Sequence, residues 1–492
     1  MFRVLVVDDE PSAVEYICNI IRLKCPELQV VATAEDGQQG LEAFTRLKPD
    51  LVISDVKMPV MSGLDMVKQI KEMDKGAGVL LVSGYQEFEY VKAALKYGVS
   101  DYVLKPMTPA NFLSSVTPVL RELNEKVYNQ RKMLVRAMIL GENQETEQIR
   151  AYFPEETYFL AVVREKGLPR RFTGAPEIEL ISEAENTMFV YGRDEREALY
   201  ICPSKAVSGP GFYRLVEKEA EKKNCENSFV TAVVIDHPIP AGELSQSVSR
   251  LYKELNSRLS IGNTRIFSVG AGKELAPGEV YEAETLKSME RSMEKKDYSA
   301  FLEQLKAFIE RAGQAGYPQL KLERFVRQTA SELMGMLDWQ DNVFEDEMMF
   351  EDAFYEAGNG AELCDSLSSI FKRYWKDDKE AVRVDSPEFL ETVKSYLKRH
   401  LAEEITVSSV CREFGLSQSY LNLIFRKYGM QSFQTYLRTA RIEHAKQVME
   451  RNPQMFIKDV AMMAGYRDQF YFSRIFRAVT GVSPTEYIDR LS

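Results

Sequence analysis

Phe2-Arg3-Val4-Leu5-Val6-Val7-Asp8-Asp9-Glu10 is a short apolar run that stops abruptly on three acids. A Val-rich run of this length suits a strand covered on both faces, and acids at its carboxyl end suit an exposed rim. Further strands read at 28–34, 50–54, 79–83 and 102–104. Amphipathic stretches near 12–23, 38–47, 64–74 and 87–97 lie between them, and another follows at 109–122. Strands and helices in strict alternation predict a doubly wound, five-stranded parallel sheet over residues 1–122. Ligands of such sheets bind beyond the carboxyl ends of the strands.

Those ends carry polar groups. The first strand runs into Asp8-Asp9, the third into Ser54-Asp55, the fourth into Ser83-Gly84 and the fifth into Lys105-Pro106. Three carboxylates on one rim repel one another unless a cation joins them, and an all-oxygen donor set suits Mg²⁺. Lys105 adds a positive charge and Ser83 a hydroxyl. A cation, a lysine and a hydroxyl around one carboxylate are what phosphoryl transfer to that carboxylate needs, because they neutralise charge on the equatorial oxygens. Asp55 is the expected nucleophile.

The stretches V-V-D-D-E (6–10), D-V-K-M-P-V-M-S-G (55–63), S-G-Y (83–85) and Y-V-L-K-P (102–106) make residues 1–122 resemble a response-regulator receiver domain of two-component signalling. The resemblance implies that Asp55 accepts a phosphoryl group from a partner sensor histidine kinase. It also implies that Asp8, Asp9, Asp55 and the backbone carbonyl of Lys57 hold Mg²⁺. Lys105 then contacts the phosphate, while Ser83 bonds a phosphoryl oxygen and draws Tyr102 inward as a switch pair. A cis bond before Pro106 is implied too, a geometry that proline tolerates.

Leu113, Val116, Leu120, Leu123, Val127, Gln130, Leu134 and Ala137 continue in alternating steps of three and four, an a/d seam. Pro118 is expected to break or kink this helix, which leaves a clean part at 119–140. A helical linker over 123–145 follows, with two readings: a dimerising coiled coil, or a helix packed on its own domain. Strand patterns at 158–163, 188–192, 198–202, 229–235 and 266–269, with helical ones at 211–223 and 243–259, predict an α/β middle domain over 146–275. Its stretch 231–269 is faintly similar to degenerate GGDEF-type domains. The acidic Gly-Gly signature of an active cyclase is missing, so a structural or sensory spacer is expected. Residues 276–380 read as a helical region ending in a polar linker.

The C-terminal part contains an internal repeat. Residues 407–426, V-S-S-V-C-R-E-F-G-L-S-Q-S-Y-L-N-L-I-F-R, align with 457–477, I-K-D-V-A-M-M-A-G-Y-R-D-Q-F-Y-F-S-R-I-F-R. Each reads as a short helix, a turn with glycine and a second helix, so tandem helix-turn-helix units are predicted. A helix near 433–451 joins them, and nineteen residues at 1.5 Å span ~28 Å. That is close to the ~34 Å between major-groove faces one turn apart. With the closing G-V-S-P-T-E-Y (481–487), residues 387–492 resemble the AraC-type DNA-binding domain. A receiver joined to it across a long middle region resembles YesN-like regulators. One departure is visible: the family places glycine at position 430, where this chain has Met430 after Gly429. Family alignment and helical facing nominate Gln418, Ser419 and Asn422, then Asp468, Gln469, Tyr471 and Arg474, as base-edge readers. Arg426, Lys427 and Arg477 are expected on phosphate.

Composition narrows the alternatives. The 492 residues carry a net charge of −11, yet 381–492 hold 16 Lys and Arg against 12 Asp and Glu. A basic end on an acidic body suits an anionic partner such as double-stranded DNA. The scattered cysteines at 18, 25, 202, 225, 364 and 411 form no C-x-x-C pair, which argues against a zinc site and a disulfide scaffold. His237, His400 and His444 are far apart and give little support to a His-based enzyme. No apolar run reaches the ~18 residues of a membrane span, and the N-terminus lacks a signal-peptide pattern. The expectation is a multidomain α/β plus α chain, with a parallel receiver, an α+β and helical middle region and an all-α C-terminal domain. It is a cytoplasmic, non-enzymatic regulator of transcription that dimerises when phosphorylated, with RNA polymerase as a further partner. Two alternatives stand beside this: a receiver that controls a catalytic middle domain, and a DNA binder independent of phosphorylation.

Overall fold

The computed structural model describes residues 1–84, 99–142, 144–171, 179–184, 188–194, 196–224, 227–269, 282–336, 343–375, 387–403, 405, 407–414, 416, 418–466 and 469–489. They form two compact units, residues 1–131 and 132–492. In the first, β1 (Phe2–Val7), β2 (Leu28–Ala34), β3 (Leu51–Asp55), β4 (Gly78–Ser83) and β5 (Asp101–Leu104) make a parallel sheet in the order β2-β1-β3-β4-β5. The helices are α1 (Pro11–Lys24), α2 (Gly37–Leu47), α3 (Gly63–Met73) and the start of α4 (Pro109–Leu140). Side chains alternate between the two faces of the sheet. Val4, Val6, Ile53 and Leu80 meet Ile17, Ile20, Phe112 and Val116 on one side. Leu5, Val7 and Val52 meet Phe44, Met66 and Ile70 on the other. The chain reverses its winding between β1 and β3, so the carboxyl ends of these two strands flank the switch crevice. The helix expected at 87–97 lies outside the described residues.

One expectation about α4 needs correction. The helix runs unbroken through Pro118. Phe112, Val116 and Val119, on both sides of the proline, are wholly buried, and this packing outweighs the lost backbone hydrogen bond. Several positions of the a/d seam pack within the units, in line with the second of the two readings, while Val127, Gln130 and Ala137 are only partly buried. Val116 and Leu123 are buried in the first unit, with Leu113 and Leu120 packed against the same core. Leu134, Val135 and Met138 enter the core of the second unit.

The second unit holds a six-stranded sheet in the order β11-β10-β6-β9-β8-β7. Its strands are β6 (Thr157–Glu165), β7 (Glu179–Ala184), β8 (Met188–Gly192), β9 (Glu197–Pro203), β10 (Val230–Pro240) and β11 (Arg265–Ser268). All neighbours are antiparallel except β10 and β11. Sequence reading missed β7 and the short helix α5 (Thr146–Tyr152). Helix α6 (Gly209–Lys223) covers one face, through Phe212, Val216 and Ala220. Helices α7 (Leu244–Arg258), α8 (Glu282–Glu294), α9 (Tyr298–Gln314), α10 (Gln319–Met336), α11 (Val343–Glu356) and α12 (Gly360–Trp375) follow. Tyr158, Leu160 and Val162 of the sheet share one core with Leu251, Phe301, Phe308, Phe350 and Phe371. The boundary expected at residue 275 therefore does not divide the packing.

The C-terminal helices are α13 (Pro387–Arg399), α14 (Val407–Phe414), α15 (Gln418–Gly429), α16 (Phe433–Arg451), α17 (Ile457–Met463), α18 (Gln469–Thr480) and α19 (Pro484–Asp489). They build two small cores joined by α16. Its first turns give Phe433 and Leu437 to the core of α13–α15, and its later turns give Ile442, Ala445 and Met449 to that of α17–α18. The departure at Met430 has a structural counterpart. Met430 follows α15 with φ 57°, the left-handed conformation that Gly481 adopts with φ 80° after α18. Both N–H groups donate to the carbonyl four residues back, on Arg426 and Arg477.

Candidate functional site

The rim of the first sheet brings the expected acids together. Asp8, at the end of β1, is 1% exposed, and its Oδ1 accepts from the Glu10 N–H at 3.0 Å. Lys105 Nζ lies 2.8 Å from both Asp8 Oδ2 and Asp55 Oδ2. Asp55 Oδ1 accepts from the Val56 N–H at 2.6 Å and, more weakly, from the Lys57 N–H at 3.4 Å. Burial pushes the Asp8 carboxyl above its usual range despite its bonds to Lys105 and to the Glu10 N–H, and the Asp55 charge adds to the rise. Burial also pulls on Lys105 downward, but its bonds to Asp55 and Asp8 win and raise it, so it stays charged. Carboxylate oxygens of Asp8, Asp9 and Asp55 lie within 4.8 Å of one another. Three hard oxygen donors against one lysine leave room for a divalent cation.

Local structure explains the convergence. The parallel pairing of β1 with β3 sets Val7 beside Ser54, so Asp8 and Asp55 follow at neighbouring strand ends. The turn after β3 folds back so closely that a Cβ on Gly63 would collide with the Asp55 carbonyl. Only glycine starts α3 there, a requirement that the motif contained and sequence reasoning left unstated. Ser62 caps the same helix by accepting from the Asp65 N–H. Ser83 is buried at the end of β4 beside Leu104, and Tyr102 is half-buried on β5 beside Leu81. The Lys105 N–H donates to the Ser83 carbonyl at 2.7 Å, and the Lys105–Pro106 bond is cis, as the resemblance implied.

The second candidate site is α15 and α18. Asp468 lies outside the described residues. Gln418, Ser419, Gln469, Tyr471 and Arg474 stand on the two helices as expected, and Lys427 and Arg477 are exposed. Asn422 is a correction. It is wholly buried, and its Oδ1 accepts from the Phe433 N–H at 3.3 Å, so it ties α15 to the start of α16 instead of facing a base. In this structure the Arg426 side chain is 10% exposed and pairs with Asp352 at 3.0 Å.

Sequence reasoning missed a third feature, a charged network inside the second unit. Arg164 is fully buried and bonds Asp194 Oδ1 and Oδ2 at 3.1 and 3.0 Å, Glu197 at 3.0 Å and the Gly167 carbonyl at 2.7 Å. Arg193 also pairs with Glu197, and Arg196 and Arg170 both pair with Glu356. Tyr355 lies under Arg170 and Arg196, with ring-centre distances of 3.9 and 4.1 Å. Burial alone would push Asp194 up, but the Arg164 guanidinium, backed by Arg196 and Arg193, holds it at about 2. The one signal was an arginine next to the apolar run Tyr158–Val163 of one strand.

The first rim thus has the parts of a phosphoacceptor site, and the C-terminal helices form paired helix-turn-helix units. Comparison with known proteins names both domains. Residues 4–117 match the response regulator receiver domain, and residues 410–490 match a helix-turn-helix domain. The chain carries a response-regulator receiver domain followed by a helix-turn-helix domain of the AraC type. It is 33% identical over 132 residues to the uncharacterized transcriptional regulatory protein YesN of Bacillus subtilis, covering 27% of this chain and 36% of that protein. It is 34% identical over 126 residues to the transcriptional regulatory protein HptR of Staphylococcus aureus, covering 26% and 49%. The chain thus matches between about a third and a half of the length of these relatives. Among solved structures, it is similar to the signal receiver domain of the putative response regulator NarL from Mycobacterium tuberculosis. That match has 30% identity and a TM-score of 0.23, and covers 24% of this chain and 93% of that one. Among the described residues, no helix is long and apolar enough to cross a membrane.

Proposed function

We propose that the protein is a two-component transcriptional regulator in which phosphorylation of Asp55 controls sequence-specific binding to double-stranded DNA. One observation carries the reading: an acidic rim with its lysine and a tandem helix-turn-helix domain occur in one chain. Asp55 Oδ attacks the phosphorus of a phosphohistidine on a sensor kinase. The P–N bond breaks, the imidazole leaves with its electron pair and takes a proton, and an aspartyl phosphate forms. Lys105 shields the acceptor's charge before transfer and holds the phosphoryl group after it. Asp8, Asp9, Asp55 and the Lys57 carbonyl would hold Mg²⁺, which supplies charge neutralisation at the equatorial oxygens. Ser83 bonds the new phosphoryl oxygen, and Tyr102 follows it inward.

Gln418, Ser419, Gln469, Tyr471 and Arg474, with Asp468, are the groups proposed on base edges, and Lys427 and Arg477 those on phosphate. The nineteen-residue α16, ~28 Å long, supports contact with successive major grooves by one chain. A homodimer of the phosphorylated form, contact with RNA polymerase and a cytoplasmic location belong to the same reading. The test is selection of DNA from random fragments by the full chain, with and without Mg²⁺ and beryllofluoride, a mimic of the aspartyl phosphate. One motif enriches more strongly with the mimic, and Asp55→Ala removes the difference. Equal enrichment of the motif in both conditions overturns control by Asp55.

A further inference from the structure

Helix α15 has two faces. Leu421, Ile424 and Phe425 turn into the core of the C-terminal domain. At 100° per residue the opposite face is formed by residues 419, 420, 423, 426 and 427. That face is the one a helix-turn-helix unit has left for a major groove. Here its centre, at Tyr420, Leu423 and Arg426, is covered by the middle region. Leu423 is 6% exposed and belongs to the same apolar core as Phe350, Phe354 and Phe371, with Tyr420 packed against it. Arg426 pairs with Asp352 of α11. Helix α11, 343–356, contains six acids and no basic residue. One of these acids, Asp352, meets the cationic recognition helix, while Asp346, Glu347 and Glu356 pair with Arg373, Arg327 and Arg196 of the middle region.

We infer that the acidic helix Val343–Glu356 occupies the DNA-facing side of Gln418–Gly429 in the unactivated protein and must leave before the first helix-turn-helix unit enters a groove. This rests on the DNA-binding reading above and adds the device that regulates it. Leu423 and Tyr420 join the contact to the core of Phe350, Phe354 and Phe371, while Arg426 Nη1 is buried without a hydrogen-bond partner among the described residues. An unsatisfied buried donor weakens an interface. Burial pushes Asp352 up and Arg426 down, so both partners are held against their preference for water despite their mutual attraction. The second recognition helix, α18, also approaches the middle region, at edge strand β7.

The decisive variant is Asp352→Asn in the full chain, because it removes the charge facing Arg426 and leaves Glu356 to hold Arg170. If the masked form is ~90% of the population, removing the mask raises apparent DNA affinity about tenfold. We expect this gain without the phosphoryl mimic, and a smaller gain with it. Amide exchange gives an independent reading: on addition of the selected DNA, 343–356 exchanges faster while 418–429 stays protected. Equal affinities of the two proteins, together with unchanged protection of 343–356 in the DNA complex, overturn the masking. Failure of both proteins to bind any DNA overturns the DNA-binding reading instead. The masking is then judged on the free proteins: faster exchange of 418–429 in Asp352→Asn than in the wild type supports it, and equal exchange overturns it.

Discussion

The chain contains two clusters of partly or wholly buried charge, and they are built on opposite principles. In the receiver, Lys105 pairs with both Asp8 and Asp55, and Asp9 lies in the same acidic group. In the middle region, Arg164, Arg170, Arg193 and Arg196 are matched by Asp194, Glu197, Asp352 and Glu356, and Arg164 directs all three of its guanidinium nitrogens at partners. The first is an acidic group at a rim, and Lys105 neutralises it only in part. The second is closed and complete. Burial of charge alone therefore does not mark a functional site. An imbalance left accessible at strand ends does.

The sharpest way to test that contrast is to remove the cation from each. Arg164→Ala leaves Asp194 without its main partner and Glu197 with Arg193 as its remaining ion-pair partner among the described residues, and breaking a buried pair in this way costs about 3–5 kcal/mol. The expected outcome is loss of amide-exchange protection throughout β6 and β9. Lys105→Ala removes a lysine whose side chain is 24% exposed, and its protection in β1 and β3 falls far less, with the loss made good by Mg²⁺. Equal losses in the two variants would break the comparison.

The excess charge itself gives a second outcome of intermediate size. A cation that binds only the folded receiver at one hundred times its dissociation constant stabilises it by about 2.7 kcal/mol. Titrating Mg²⁺ should raise exchange protection in β1 and β3 and leave β6 and β9 unchanged. Asp9→Ala, which deletes an exposed member of the trio, should abolish most of the gain. A gain of the same size in β6 and β9 would show that Mg²⁺ acts on general electrostatics and not on the rim.

The same contrast explains what was legible in the sequence. The receiver rim could be read because each group ends a strand, and strand ends are marked locally by the change from apolar to polar residues. Strand positions, the helix at 433–451 and the unusual residue at 430 were readable for similar reasons, since each depends on neighbours in the chain. The middle network was not readable. Arg164 finds Asp194 thirty residues away, and Arg196 finds Glu356 across 160. No local pattern encodes such a pairing. Pro118 misled for the converse reason: a sound local rule was overruled by Phe112, Val116 and Val119 packing on the sheet. Asn422 misled because helical facing identifies a free side only if nothing else in the chain covers it.

Acid provides the gentlest probe of the closed cluster. Asp194 is held at about 2, below its usual 3.8, by Arg164 and its arginine neighbours in spite of burial, and Glu197 is lowered by Arg193 and Arg164. A carboxylate whose folded value is depressed adds stability that is fully present above its unfolded value. That contribution falls away as the pH drops from about 4 toward about 2, and for Asp194 it is worth about 2–3 kcal/mol. Protection of β6 and β9 should therefore decline within this window and recover on neutralisation. Asp194→Asn should flatten the decline, because the amide does not titrate there. A profile equally steep in that variant would place the acid sensitivity elsewhere in the unit, and the network around Arg164 would then hold its partners by packing more than by charge.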